Sequence, residues 1–304
     1  MKLLIYKDLI LSYIRQEYDN DEHMSLIQKI LYNENSVFLY SLKFINFLER
    51  EIGDNSRHYN RFTSFVTKIQ KEMQQKGNIT SSQTSQCFDD EILHIFSTTQ
   101  DNVVVVIASN QPSQEIQNAI PNIAVLSQQQ KPNYHWLVVN LAILHPFTLS
   151  VDEIDFDNDA QTDKFFDDLF SIPRTISEVT IFDDYYNVNE HNKYAKIAKP
   201  KNVFVLYCTQ NHYRKSDWNG NFNADKYNIL KANFSKFNLS TKDKGSHTRR
   251  IIFEGFIINP DIDLGLLNKT DKKMWSVHIR FSEERAGEII EIRNKDYKKF
   301  NPSR

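Results

Sequence analysis

The stretch that most constrains this chain is Asn102-Val103-Val104-Val105-Val106-Ile107-Ala108-Ser109-Asn110. Its apolar run has strand length and no polar alternation, so a strand built from it has to be covered on both faces. Strands of that kind sit in parallel sheets sandwiched between helices. The run is far short of the roughly 18 apolar residues that a membrane-crossing helix needs, and no other run in the chain approaches that length.

The flanking residues fit such a sheet. Leu3-Leu4-Ile5-Tyr6 reads as a first short strand, followed by Asp8 and an apolar-periodic helix through Ile14. Helical periodicity returns at Met24 to Tyr32, at Phe38 to Ile52 with a stop at Gly53, and at Asn60 to Gln75. Thr80 to Gln86 reads as a surface loop. A helix opening at Asp89-Asp90, with Ile92, Leu93, Ile95 and Phe96 inward, then leads into the valine run.

Charge divides the chain. Residues 1 to 174 carry a net charge of −9 and residues 175 to 304 a net +7. Between the two halves, Asp152, Glu153, Asp155, Asp157 and Asp159 precede a short apolar stretch, Phe165 to Ile172, which reads as a docking helix stopped by Pro173. The expected organisation is an α/β domain over 1–145, an acidic linker over 146–174, and a second α/β domain over 175–304. In the second domain Val179 to Phe182 runs into Asp183-Asp184-Tyr185-Tyr186, Asn202 to Cys208 is a buried strand, and Trp275 to Phe281 alternates as a half-buried one. His191 to Lys199 and Asp225 to Phe237 read as helices, and Arg293 to Arg304 as a basic, mobile tail. The fold class expected is α/β with two domains, each a mostly parallel central sheet flanked by helices.

Several classes drop out. Cys87 and Cys208 are the two cysteines, without paired spacing, so neither a disulfide framework nor a cysteine zinc site is expected, and a reducing cytoplasm is the default compartment. The N-terminus lacks a small-residue cleavage site and reads as a strand. Seven glycines and no glycine-rich loop argue against a dinucleotide or P-loop cofactor. A basic half points to an anionic partner, most often nucleic acid. Docking on the acidic half of the same chain is the competing reading.

Within the basic half, Lys242 to Lys269 holds the strongest candidate chemistry. His247 and Arg249, two residues apart, face one side of an extended chain. Lys242, Lys244 and Arg250 flank them as candidate nucleic-acid contacts. The alternative is an ordinary strand with a charged edge.

Two resemblances organise these residues. Tyr6 and Asp8 after the first strand, Glu49 in a later helix, Asp89 and Asp90 opening another, and the turn Ser109-Asn110-Gln111 make residues 1–145 resemble a PIN-like nuclease domain. That family holds divalent metal in such carboxylates. The resemblance implies a residual Mg²⁺ or Mn²⁺ site at Asp8, Glu49, Asp89 and Asp90, depleted because Tyr6 and Gln111 replace aspartates. Asp89 and Asp90 also fit a helix cap and first-turn acid.

His247, Arg249 and Glu254, followed by Gly265 and Asn268, make residues 175–285 resemble the phospholipase D-like superfamily, with arginine for lysine and glutamate for aspartate. This resemblance implies metal-independent phosphodiester cleavage, with no cofactor. His247 would be the nucleophile, Arg249 and Asn268 phosphate ligands, and Glu254 the group orienting the histidine. One motif per chain implies a homodimer that brings two copies of His247 together. The expected function is a nuclease, in a bacterial defence or toxin setting. The alternative is a catalytically inactive subunit that binds nucleic acid or a partner protein encoded nearby.

Overall fold

All five residues of the strand Val104–Ala108 are buried, as the unbroken apolar run requires. The computed structural model describes residues 1–33, 36–73, 77–144, 146–150, 153–154, 158–183, 203–209, 227–228, 231–232, 237–242, 249–260 and 276–300. The chain forms two compact units, Met1–His145 with Ser171–Arg174, and Pro146–Phe170 with Thr175–Arg304.

The first unit is a parallel four-stranded sheet of β1 (Lys2–Ile5), β2 (Val37–Phe38), β3 (Val104–Ala108) and β4 (Ile123–Val125), in the order β2-β1-β3-β4. Helices α1 (Lys7–Arg15) and α2 (Asp21–Leu31) join β1 to β2. Helices α3 (Leu42–Ile52), α4 (Ser56–Met73) and α5 (Phe88–Thr98) then carry the chain to β3. Next come α6 (Gln114–Ala119) before β4 and α7 (Tyr134–Ile143) after it. Short polar caps fix the helix starts: the side chains of Asn20, Ser41, Ser113 and Asn133 each accept a first-turn backbone N–H. One expected helix is shorter than its pattern. Phe38 belongs to β2, and α3 begins only at Leu42, because Ser41 caps it while Phe38, Leu39 and Tyr40 are buried beside the sheet.

From β1 the chain goes first to β2 on one side and then to β3 on the other. The strand order therefore reverses at β1, and the carboxyl ends of β1 and β3 form the crevice where parallel α/β sheets place their sites.

The second unit holds an eight-stranded sheet in the order β12-β8-β7-β6-β9-β10-β11-β5. Its strands are β5 (Phe147–Ser150), β6 (Glu178–Phe182), β7 (Val203–Thr209), β8 (Phe237–Lys242), β9 (Arg250–Phe253), β10 (Phe256–Pro260), β11 (Ser276–Phe281) and β12 (Lys298–Lys299). The sheet is mixed, which corrects the expectation of a mostly parallel one: β7 is parallel to β6 and β8, and the other pairings are antiparallel. A two-residue hairpin joins β9 to β10. Glu254 (φ 43) and Gly255 (φ 84) both take positive φ, the backbone of a type I′ turn, and Phe253 pairs with Phe256 across it.

The described part of residues 146–174 supplies the edge strand β5, paired with β11, and the helix α8 (Asp159–Phe170). Phe165, Phe166, Leu169 and Phe170 are buried, and the Phe170 ring lies 4.6 Å from that of Phe253. The helix expected over Phe165 to Ile172 is thus present, beginning earlier, at Asp159, and ending at Phe170. The expected basic tail is also structured as far as Phe300. Helix α9 (Glu283–Asp296) packs Ala286 and Ile289 with Phe182, Val205, Tyr207, Ile252, Ile257 and Tyr297, and β12 pairs with β8.

Candidate functional site

At the carboxyl ends of β1 and β3, Asp8 opens α1 and reaches the turn after β3. Its Oδ1 accepts from the backbone N–H of Leu9 (2.7 Å) and Ser109 (3.1 Å), and its Oδ2 from that of Asn110 (2.7 Å). Burial raises the carboxyl above its ordinary range, and these three amides oppose the shift. The Tyr6 hydroxyl donates to Asp89 Oδ1 at 2.7 Å, and the Ser113 hydroxyl donates to Asp89 Oδ2 at 3.2 Å. The Tyr6 phenol is pushed far up, first by burial and then by its bond to Asp89.

The other two acids point elsewhere. Asp90 accepts from the backbone of Gln86 (2.8 Å) and Cys87 (3.1 Å) in a capping box at α5, and these bonds hold its carboxyl below the usual range. Glu49 accepts from the Tyr59 hydroxyl at 3.1 Å, in an exposed contact. Asp8 and Asp89 thus come to one sheet end, around Tyr6, while Asp90 and Glu49 do not join them. Among the described residues no group of three His, Cys, Asp or Glu side chains is placed to hold a metal ion. The four acids do not fit the divalent cation that the PIN-like resemblance implies, because each is oriented by its own local donors.

A buried acid here escaped the sequence reading. Glu91 is fully buried; its Oε1 accepts from the Ser41 hydroxyl (2.5 Å) and the Ser82 amide (3.3 Å), and Oε2 is buried without a hydrogen-bond partner. The signal was its place in the stripe Phe88, Glu91, Ile92, Ile95, spaced as one helix face. Beside this sheet end a groove of about 870 Å³ is lined by Asn110, Lys29, Lys131 and Trp136, and by the acids Glu17 and Glu22. Its mixed charge selects no ligand.

In the second unit, His247, Lys244, Gly265 and Asn268 lie outside the described residues. Arg249, expected as a phosphate ligand, is buried: its Nε donates to Asp183 Oδ1 at 3.1 Å, with side-chain exposures of 8% and 3%. Asp183 follows β6, fixed by a backbone bond from its N–H to the Tyr207 carbonyl. Glu254 lies in the β9–β10 turn, where Oε1 accepts from the Ser177 amide (2.6 Å) and hydroxyl (2.7 Å). Arg249 and Glu254 therefore sit at opposite ends of β9, roughly 16 Å apart at the rise of an extended chain. The sequence reading has Glu254 orient His247, which lies outside the described residues.

The flanking cations are placed differently from one another. Lys242 lies over the Tyr297 ring, 4.7 Å from its centroid. Arg250 donates through Nε to Asn259 Oδ1 at 3.0 Å. Burial, then the nearby Arg293 and Arg285, push its guanidinium below the usual arginine range.

No protein-family model matches the chain, and no curated protein matches it. Among solved structures, that of TrmBL2, described as an archaeal chromatin protein with a novel mode of DNA binding, is similar at a TM-score of 0.30 and 12% identity. The match covers 52% of this chain and 54% of that one, so this chain spans about half the length of that relative. Among the described residues no helix is long and apolar enough to cross a membrane.

Proposed function

We propose that this chain is a non-catalytic nucleic-acid-binding protein, built on two nuclease-like α/β scaffolds and contacting its ligand through the basic second unit. The observation that carries this reading is the separation of Arg249 from Glu254. One is neutralised by buried Asp183 and the other anchors the β9–β10 turn to Ser177, so neither is arranged for phosphoryl chemistry. The first unit is consistent with it, since Asp8 and Asp89 hold loop amides and hydroxyls. The net +7 of residues 175 to 304 favours a polyanion as ligand.

The test is fluorescence anisotropy with labelled DNA and RNA oligonucleotides, alongside cleavage assays in Mg²⁺, in Mn²⁺ and in EDTA. Salt-sensitive binding without turnover is the expected result. Cleavage that survives EDTA and disappears in His247→Ala would restore the phospholipase D-like nuclease. Cleavage that needs the metal and disappears in Asp8→Asn would restore the PIN-like one. Failure to bind either polymer would sink the nucleic-acid reading. A defence role, with a homodimer or a partner protein encoded nearby, belongs to the same proposal; unchanged phage plating on cells expressing the protein with its genomic neighbours would count against it.

A further inference from the structure

β12 is the edge strand of the second unit's sheet, next to β8. Its register sets Lys298 opposite Thr241 and Lys299 opposite Ser240. One rung further, Tyr297 meets Lys242 directly, with the Lys242 Nζ 4.7 Å from the Tyr297 ring centroid. Residues opposite each other in a ladder point to the same face, and successive residues point to opposite faces. Lys299, Ser240, Lys242 and Tyr297 therefore share one face of this edge. The ring of Tyr207, the β7 partner of Ser240, lies 5.1 Å from that of Tyr297 on the same face. Lys298 points to the other face, with Thr241 and Phe300.

Lys242 and Lys299 stand roughly 8 Å apart at their Cα atoms, one strand over and two residues along. Two neighbouring phosphates of one backbone can bridge that spacing. The ring contact already places the Lys242 ammonium, so less side-chain freedom is lost when it meets an anion. Lys299 is exposed, and among the described residues neither it nor Lys298 has a carboxylate within ion-pair distance. Its backbone adds a donor. The Phe300 N–H donates to the Leu239 carbonyl at 2.8 Å, so by alternation the Lys299 N–H points away from β8.

We propose that Lys242 and Lys299 form a phosphate-contacting surface at the β8–β12 edge, and that its occupant is the backbone of a bound nucleic acid. The occupant rests on the nucleic-acid reading above and on the net +7 of residues 175 to 304; the surface rests on the ladder register and the ring contact. Lysines on an edge strand also deter pairing with other strands, but that role asks nothing of the face on which they stand. Lys298 is therefore the control, equal in charge and one residue away.

Wild type, Lys242→Gln, Lys299→Gln and Lys298→Gln, each as the full chain, are titrated with a labelled single-stranded oligonucleotide across a salt series. Lys242→Gln and Lys299→Gln are each expected to reduce the steepness of log K against log salt by about 0.7, as for one lost phosphate contact, while Lys298→Gln keeps the wild-type value. Lys299 is exposed, so its variant keeps the test open if losing the Lys242 ring contact impairs folding. Equal losses in Lys298→Gln and Lys299→Gln overturn the site in favour of general charge. Binding unchanged in all three variants removes the site and leaves the nucleic-acid reading standing. If wild type binds no oligonucleotide, that reading fails, and elution from a heparin column decides the surface. Elution of Lys242→Gln and Lys299→Gln at lower salt than wild type and Lys298→Gln keeps a polyanion surface; any other order, or none, overturns it.

Discussion

Replacing Arg249 by methionine separates a structural arginine from a phosphate ligand. Its Nε lies 3.1 Å from Asp183 Oδ1, with both side chains less than a tenth exposed. At that distance, and an effective dielectric of about 20, the attraction is roughly 5 kcal/mol before either group's desolvation is counted. Removing one partner leaves the other charge buried, at a cost of about 3–5 kcal/mol, whereas replacing both by apolar residues of similar volume is close to neutral. An exposed pair would be worth only about 0–1 kcal/mol. Arg249→Met is therefore expected to lower stability by a large fraction of the ~5–15 kcal/mol typical of a domain. The double variant Asp183→Leu/Arg249→Met should recover most of that loss. Urea unfolding followed by fluorescence measures both, and oligonucleotide anisotropy on the refolded double variant measures function. A single variant within about 1 kcal/mol of wild type refutes the buried-pair argument. A double variant of native stability that no longer binds oligonucleotide makes Arg249 a phosphate ligand after all.

Three further outcomes follow from local geometry. The Asp8 carboxyl has a raised pKa in the fold, so over the window from its ordinary value of 3.8 up to the raised one the native state holds more protons than the unfolded chain. Its contribution to stability thus falls as pH rises through that window and is level above it. Asp8→Asn should remove this fall from a pH series of melting curves, and a variant with the same pH profile as wild type would contradict the assignment. Gly255→Ala places a Cβ 2.9 Å from both Glu283 Cγ and Phe281 Cε2, at φ +84. It should cost about 1–3 kcal/mol in denaturant unfolding, and an unchanged midpoint would mean that the turn is not the one described. Glu91→Ala strips the acceptor from the Ser41 hydroxyl and the Ser82 amide. A loss of about 1–3 kcal/mol is expected, and a neutral effect in the same assay would mean that these buried donors find other partners.

Much of the first unit was legible because its signals are local. Four successive valines leave a strand no polar face, whereas the cap at Ser41, which starts α3 four residues later than its pattern, and the helix capped by Asn133 were not read. In the acidic segment the stripe Phe165, Phe166, Leu169 and Phe170 was legible as a short helix, whereas the start of that helix at Asp159 and the pairing of β5 with β11 were not.

By itself the sequence determined the α/β class, the charge division and the buried strands, all of which depend on patterns a few residues long. Tertiary structure decided which charges meet. Arg249 and Glu254 fit a motif by spacing, yet a four-residue strand holds them apart. Arg249 instead meets Asp183, 66 positions away, and Arg250 meets Asn259 across the β9–β10 hairpin. Such encounters follow from strand order and register. Those are fixed by the packing of the whole sheet, which no local window of sequence records.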